Sequence, residues 1–337
     1  MKVQTLDIYG MVVKYRGASA RLAAQLLRPF RYFLKDGPPG GSNFTTIEVK
    51  EKIPPWDSFP EIAASFSTPR NIVYANHDTK IIDYFGNGVV VETASARNFT
   101  LFSQDRNFLQ EAFYLLVISL LGQHLDSVGL LRVHALALAC GDTAFLLPVP
   151  PGGGKSTMAI SLLREQDIRL ISDDEPIFDS NGAVHPFHTH IGTLDQNIIA
   201  AIPKKFYYEI DRMEFGKKYF IDCAFWEEKL QKTPMKKTIL FVSRRVLNGE
   251  PRIRPASKLS TLRTLVRDAV VGVGLYQGLE FIFKSSPWEI LAKLLVIVRR
   301  FRLALKLVRQ SQTYGITLGR DVGQNAKVLA QFMKTTS

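Results

Sequence analysis

Cysteine is nearly missing: the chain has two in 337 residues, Cys140 and Cys223. They lie far apart and in no metal-like spacing. That argues against a disulfide framework and suits a reducing compartment, so a cytoplasmic protein is expected. Acid is scarcer than base, with 31 Asp and Glu against 43 Lys and Arg and a formal net charge of +12. Such an excess favours an acidic partner: a nucleotide, an acidic peptide, a membrane surface or a nucleic acid. No run reaches about 18 uninterrupted apolar residues, so no membrane-spanning helix is expected. The nearest, residues 112–122 and 290–298, are short and flanked by polar groups. The opening stretch, MKVQTLDIYGMVVKYRG, lacks the apolar centre of a signal peptide. Internal repeats and long low-complexity tracts are also missing. What remains is 46% apolar and 22% charged, the composition of a globular chain with a sizeable core. Its length fits one large or two smaller domains.

Residues 3–15 mix β-branched and aromatic side chains and read as a strand or hairpin. Residues 19–34 carry Leu22, Ala23, Leu26 and Leu27 at helical spacing, with Pro29 late in the run. Strand-like runs follow at 44–50, 72–75, 80–85, 88–92 and 98–102, with a hairpin turn expected at Asn87-Gly88. These predict a small β-rich domain over 1–105, with a substrate-binding or regulatory role. A second domain, 106–337, opens with a helix over 106–124 that is apolar nearly all round. A strand over 130–140, a turn at Gly141-Asp142 and a strand over 144–149 come next.

Residues 146–157, LLPVPPGGGKST, are the stretch on which the rest turns. An apolar run, a Pro/Gly-rich loop and the start of a helix form the grammar of a phosphate-binding loop. Gly152, Gly153 and Gly154 let the backbone approach a polyphosphate, since no Cβ blocks the turn. The amides of Gly154, Lys155, Ser156 and Thr157 would point into the loop, where a helix N-terminus also favours anions. Lys155 would reach the phosphates of ATP and Ser156 would ligate Mg²⁺. The pattern G-x-x-x-x-G-K-[ST] is met only at its end; Val149 stands where the first glycine belongs.

A short strand over 168–172 ends in Asp173-Asp174. A carboxylate there could hold Mg²⁺ or orient and deprotonate an attacking hydroxyl. Adjacent side chains on a strand point apart, so the two need not share one role. The order strand, loop, helix, strand, acidic pair is that of a P-loop α/β core. His134 sits on the strand before the loop, where a histidine is more often a satisfied core residue than a catalyst. His185, His188 and His190 lack a neighbouring cysteine or carboxylate cluster and read as a polar strand rather than a zinc site.

A strand over 239–244 carries Arg244 and Arg245 at its end; with Lys204 and Lys205 they are candidates for phosphate or acidic-substrate contacts. Residues 257–274 read as a helix. Residues 287–308 read as a basic amphipathic helix packed on the surface, with a membrane or nucleic acid as the alternative. A strand over 314–318 and a helix over 322–333, capped by Asp321, close the chain.

Residues 132–178 resemble the HPr serine kinase/phosphorylase family, especially its divergent branch. The shared pieces are Val133-His134-Ala135, the loop PPGGGKST, and Leu170-Ile171-Ser172-Asp173-Asp174-Glu175. The resemblance implies a P-loop kinase core related to phosphoenolpyruvate carboxykinase. It implies phosphoryl transfer from ATP, with Mg²⁺, to a serine (or threonine) hydroxyl of a peptide or small protein. Carried over, Lys155 and Ser156 bind phosphate and Mg²⁺, Asp173 is the general base, Asp174 supports metal or base, and His134 tunes the carboxylate. No counterpart of the family's Gly-Arg-Asn phosphorylase signature occurs; the nearest stretch is Arg252-Ile253-Arg254-Pro255-Ala256. Divergent members phosphorylate precursor peptides of ribosomal natural products, lasso peptides among them. The family also forms homo-oligomers. Two other readings stay open: a nucleotide-binding regulatory module that transfers nothing, and a small-molecule P-loop kinase.

Overall fold

The computed structural model describes residues 3–17, 19–37, 44–93, 97–149, 153–212, 216–266 and 287–337, the last with side chains from 294 onward. The chain is mixed α/β and divides into two compact units. One is built mainly on Met1–His124 and also takes in Glu209–Lys218; the other comprises Leu125–Tyr208, Tyr219–Tyr276 and Lys293–Ser337.

In the first unit, period-two alternation makes the strands. β1 (Gln4–Ile8) and β2 (Met11–Gly17) form a hairpin that buries Met11, Val13 and Tyr15 on one face. Helix α1 (Ala20–Leu27) follows, capped by Ser19 Oγ, which accepts from the amide of Leu22. Pro29 starts a 3₁₀ turn, because it cannot supply the amide that would continue the α-helix. The strands that come next are β3 (Leu34–Lys35), β4 (Thr45–Glu51), β5 (Ala64–Ser67), β6 (Ile72–Ala75), β7 (Thr79–Asp83), β8 (Val89–Thr93) and β9 (Asn98–Ser103). They join one sheet in the order β3-β1-β2-β4-β9-β8-β7-β6-β5, antiparallel except at β2–β4 and β4–β9. The β7–β8 turn falls at Phe85-Gly86, both at positive φ, and not at Asn87-Gly88 as the sequence suggests. The amide of Asn87 donates to the Tyr84 carbonyl and closes the turn one step earlier, while Gly88 leaves room that the ring of Phe108 fills.

Helix α2 (Arg106–Val128) starts at Asp105, whose Oδ1 accepts from the Asn107 amide. Its residues up to His124 belong with the first unit, whereas the sequence reading opens the second domain at Arg106. The contacts give the reason. The ring of Phe113 lies edge-on to Tyr15, that of Phe108 meets Tyr84, Gln110 accepts from Gln25, and Arg106 pairs with Glu51. Each large apolar side chain buried this way contributes about 1.5–3 kcal/mol. By length and hydropathy α2 could cross a membrane, but 67% of its most apolar window is buried inside the protein.

The second unit starts with β10 (Leu131–Arg132), β11 (Leu136–Cys140) and β12 (Thr143–Leu147). The single strand expected over 130–140 is thus broken at residues 133–135. Leu131–Arg132 pairs with Ile177–Phe178 and β11 pairs with the strand ending at Ser172, so the ladder must step across Asp173 and Asp174; it bulges between Ala137 and Leu138. In chain order there follow α3 (Lys155–Leu162), β13 (Ile168–Ser172), β14 (Ile177–Phe178), β15 (Val184–His185), β16 (His190–Thr193), α4 (Gln196–Ala200), β17 (Tyr207–Arg212) and β18 (Gly216–Asp222), of which Glu209–Lys218 count with the first unit, then β19 (Lys237–Arg245), β20 (Arg252–Pro255), α5 (Lys258–Leu265), α6 (Pro287–Gln310), in this unit from Lys293 on, β21 (Gln312–Leu318) and α7 (Val322–Thr336).

The central sheet has the order β13-β11-β12-β19-β21-β20, with β12–β19 and β19–β21 parallel. β12 and β13 are both antiparallel to β11 between them, so they run the same way. The connection through α3 therefore carries the chain from one to the other and sets the loop before Lys155 and the pair after Ser172 at the same strand ends. A core of Ala137, Ala139, Leu146, Ile171, Leu240, Ala304, Leu307 and Val308 lies under one face. On α7, Phe332 meets Phe145, Phe241 and Tyr314, and the helix packs beside α3.

Candidate functional site

Four short pieces of the second unit converge: the break at 133–135, the start of α3, the end of β13, and the end of β19. Gly154 is the N-cap of α3 with φ 85° and ψ 17°, a left-handed conformation that glycine adopts without strain. Its carbonyl accepts from the Met158 amide at 2.9 Å, the first turn of the helix. Gly153 precedes it; Gly152, expected to share the cradle, lies outside the described residues. A Cβ on Gly154 would stand 3.5 Å from Val322 Cγ2 and 3.6 Å from Arg245 Nη1. Arg245 therefore reaches the loop from the end of β19. Nearby, Ser243 Oγ donates to the Pro148 carbonyl and ties β19 to the strand exit before the loop.

Lys155 is the first residue of α3 and its side chain is only 11% exposed. Its Nζ contacts Asp174 Oδ1 directly and lies 3.0 Å from His134 Nε2. An ammonium only donates, so in this arrangement Nε2 accepts and the ring proton falls on Nδ1. That nitrogen is 3.1 Å from Asp174 Oδ1. His134 is set there by backbone pairing: the Val133 amide donates to the Pro176 carbonyl and the Ala135 amide to the Asp174 carbonyl. The next residue of α3, Ser156, donates from Oγ to Asp173 Oδ2 at 3.0 Å. Asp173 is buried, whereas the Asp174 side chain is 47% exposed. Thr157 continues α3 and its carbonyl accepts from Ser161 Oγ.

The sequence-selected residues His134, Lys155, Ser156, Asp173 and Asp174 thus meet in one cluster, with Gly154 at its rim. Two residues without an assigned role underlie it. Arg132 Nη1 donates to Glu175 Oε2 at 3.2 Å, and both side chains are 6% exposed. Burial pushes the Glu175 carboxyl above its usual range, Arg132 pulls it down, and Asp174 adds to the rise. The pair clamps the segment bearing His134 to the one bearing Asp174. Its signal in the sequence was two opposite charges flanking His134 and the Asp pair in otherwise apolar runs.

Other singled-out residues are engaged elsewhere. His185 bonds to Asp179, His188 Nε2 to the Leu170 carbonyl, and His190 Nδ1 to the Tyr208 hydroxyl. The ammonium groups of Lys204 and Lys205 lie over the rings of Tyr207 and Phe206. Among the described residues no group of three or more His, Cys, Asp and Glu gathers as a metal site. Mg²⁺ asks for less, since it keeps several waters and takes one or two carboxylates beside substrate phosphates.

The donor set fits a nucleotide phosphate with a hard cation. A helix N-terminus without a Cβ at its cap, an ammonium and a guanidinium suit the anion. Ser156 Oγ and Asp173 Oδ2, 3.0 Å apart, are the oxygen ligands Mg²⁺ prefers. The chain matches no protein-family model and no curated protein.

Proposed function

We propose that the chain is an ATP- and Mg²⁺-dependent kinase with a P-loop core of the HPr serine kinase type. Its acceptor is a serine (or threonine) hydroxyl on a peptide or small protein, a natural-product precursor peptide being one candidate. The observation that carries this reading is that Lys155 and Ser156, neighbours on one helix N-terminus, each contact one of two adjacent carboxylates.

Bound ATP with Mg²⁺ would supply the phosphoryl group and a cation that offsets its charge. Lys155, Arg245 and the amides at the start of α3 would hold the phosphates; Ser156 and Asp173 would hold the metal. This differs from giving Asp173 the proton transfer. The Ser156 hydrogen bond and the burial of Asp173 favour the metal side, while Asp174 is half exposed and faces His134. Once Lys155 turns to phosphate, Asp174 is released to accept the acceptor's hydroxyl proton, with His134 beside it, Nδ1 lying 3.1 Å from Asp174 Oδ1.

The test is intact-mass spectrometry of candidate peptides incubated with the protein and Mg-ATP. A gain of one phosphate on serine, lost with Lys155→Ala, supports the kinase. ATP binding without transfer to any peptide or small metabolite would instead favour the regulatory module, and transfer to a metabolite alone the small-molecule kinase.

A further inference from the structure

Helix α6 carries more than its packing needs. From Lys293 on it belongs to the second unit, and Ala304, Leu307 and Val308 enter the core. Arg300 is buried on the same side and holds Asp126 through Nε and Nη2, each at 2.7 Å. At about 100° per residue, Leu294, Val298, Phe301 and Leu305 form a second stripe beside that face. Most of it is open to solvent: Leu294 is 53%, Val298 45% and Phe301 41% exposed. Arg299, Arg302, Lys306 and Arg309 form a third stripe on the far side from the core, with Leu295 among them at 59% exposure. No Asp or Glu occurs between Leu294 and Gln310.

Exposed large apolar side chains in a row, flanked by cations and free of acid, have a cost in water that a monomeric fold normally avoids. We infer that residues 294–309 are a docking surface for an anionic phospholipid bilayer. The helix would lie in the interface with Leu294, Val298 and Phe301 among the acyl chains and Leu295, beside the cations, at the headgroup boundary. Arg299, Arg302, Lys306 and Arg309 would sit at the lipid phosphates. A nucleic acid would satisfy the cations but leave four apolar side chains wet. An acidic helical partner would have to present a groove to a convex ridge whose other side is already packed. A bilayer needs only the ridge.

The experiment is co-sedimentation of the full chain with vesicles of phosphatidylcholine alone and of phosphatidylcholine with phosphatidylglycerol, read by the fraction pelleted. Binding is expected to the anionic vesicles only. It should weaken as salt rises from about 0.1 M to about 1 M, where screening shortens from ~10 Å to ~3 Å. Changing Arg299, Arg302 and Lys306 to Gln should lower partitioning roughly a hundredfold, about fivefold per charge. Val298→Ser with Phe301→Ser, at exposed positions that leave the core intact, should abolish what remains. Circular dichroism of each variant checks that it is folded. No pelleting with anionic vesicles, equal pelleting with neutral ones, or indifference to both sets of variants overturns the inference. So does a result in which the serine variants only break up a self-associated form without lipid. The kinase reading is independent and is not touched by any of these outcomes.

Discussion

Ser156 Oγ donates to Asp173 Oδ2 at 3.0 Å, while its neighbour Lys155 contacts Asp174, so one helix turn addresses each carboxylate separately. Two adjacent carboxylates on an extended segment point apart, and the contacts here follow that geometry. The two substitutions should therefore fail differently. Asp173→Asn is expected to raise the Mg²⁺ concentration needed for half-maximal transfer, with Mn²⁺ restoring part of the rate. Asp174→Asn should leave the Mg²⁺ requirement alone and lower kcat by about 10²–10⁴, the usual contribution of a positioned base. Transfer assays across a metal series decide it. Identical metal profiles for the two variants would sink the division of roles.

Gly154 offers a cleaner probe of the loop. A Cβ there meets only ordinary contacts, at 3.5 Å and 3.6 Å, so crowding is not the obstacle. The backbone is: φ is +85°, and a non-glycine residue pays about 1–2 kcal/mol for such a conformation. Gly154→Ala should lower the melting temperature modestly and weaken ATP binding by more than the stability loss alone explains. The methyl would stand against Arg245 Nη1, one of the groups proposed to hold the phosphates. Calorimetric titration with ATP on the folded variant measures this; unchanged affinity would mean that the loop backbone does not meet phosphate.

Much of this site was legible because its parts are local. GGGKST opens a helix through glycine conformation and helix polarity, and the acidic pair ends a five-residue apolar strand, so both could be read from spacing. The nine-stranded sheet was legible only as pieces. Its β2–β4 and β4–β9 pairings are parallel and join segments across long connections, which no turn signal marks. The Asn87-Gly88 expectation failed because Asn-Gly favours a two-residue turn in isolation, whereas here Phe85-Gly86 makes it and Gly88 instead receives the Phe108 ring. The break at His134 was hidden for a similar reason. Residues 130–140 have strand composition throughout, and only the register against two different partner strands interrupts them. Arg132 and Glu175 escaped notice because a charge in a strand pattern looks like a solvent-facing position until its partner, 43 residues away in sequence, is found beside it.

That buried pair should show strong coupling. Removing one partner strands the other charge in the interior, which typically costs about 3–5 kcal/mol, whereas replacing both with apolar groups is often close to neutral. Arg132→Met is thus expected to destabilise the chain sharply, and Arg132→Met with Glu175→Leu to recover most of the loss. Thermal melts of the wild type, both single variants and the double variant close the cycle. Additive losses would show that the two side chains do not depend on each other.

His188 makes a prediction about pH. Burial holds its imidazole below the ordinary value, against the hydrogen bond to the Leu170 carbonyl and the charge of Glu227, which raise it. The folded chain therefore takes up this proton less readily than the unfolded chain. Above about pH 6.5, the unfolded value, neither state is protonated and the contribution of His188 to stability is whole. As the pH falls below that, the unfolded chain is protonated first, and stability declines until the folded value is passed. His188→Gln keeps a donor for the Leu170 carbonyl but cannot titrate. Its melting temperature should fall less than that of the wild type between about pH 7.5 and about pH 5.5. Parallel melting curves over that range would mean that His188 is protonated as easily in the fold as out of it, and that its burial beside β13 does not govern acid stability.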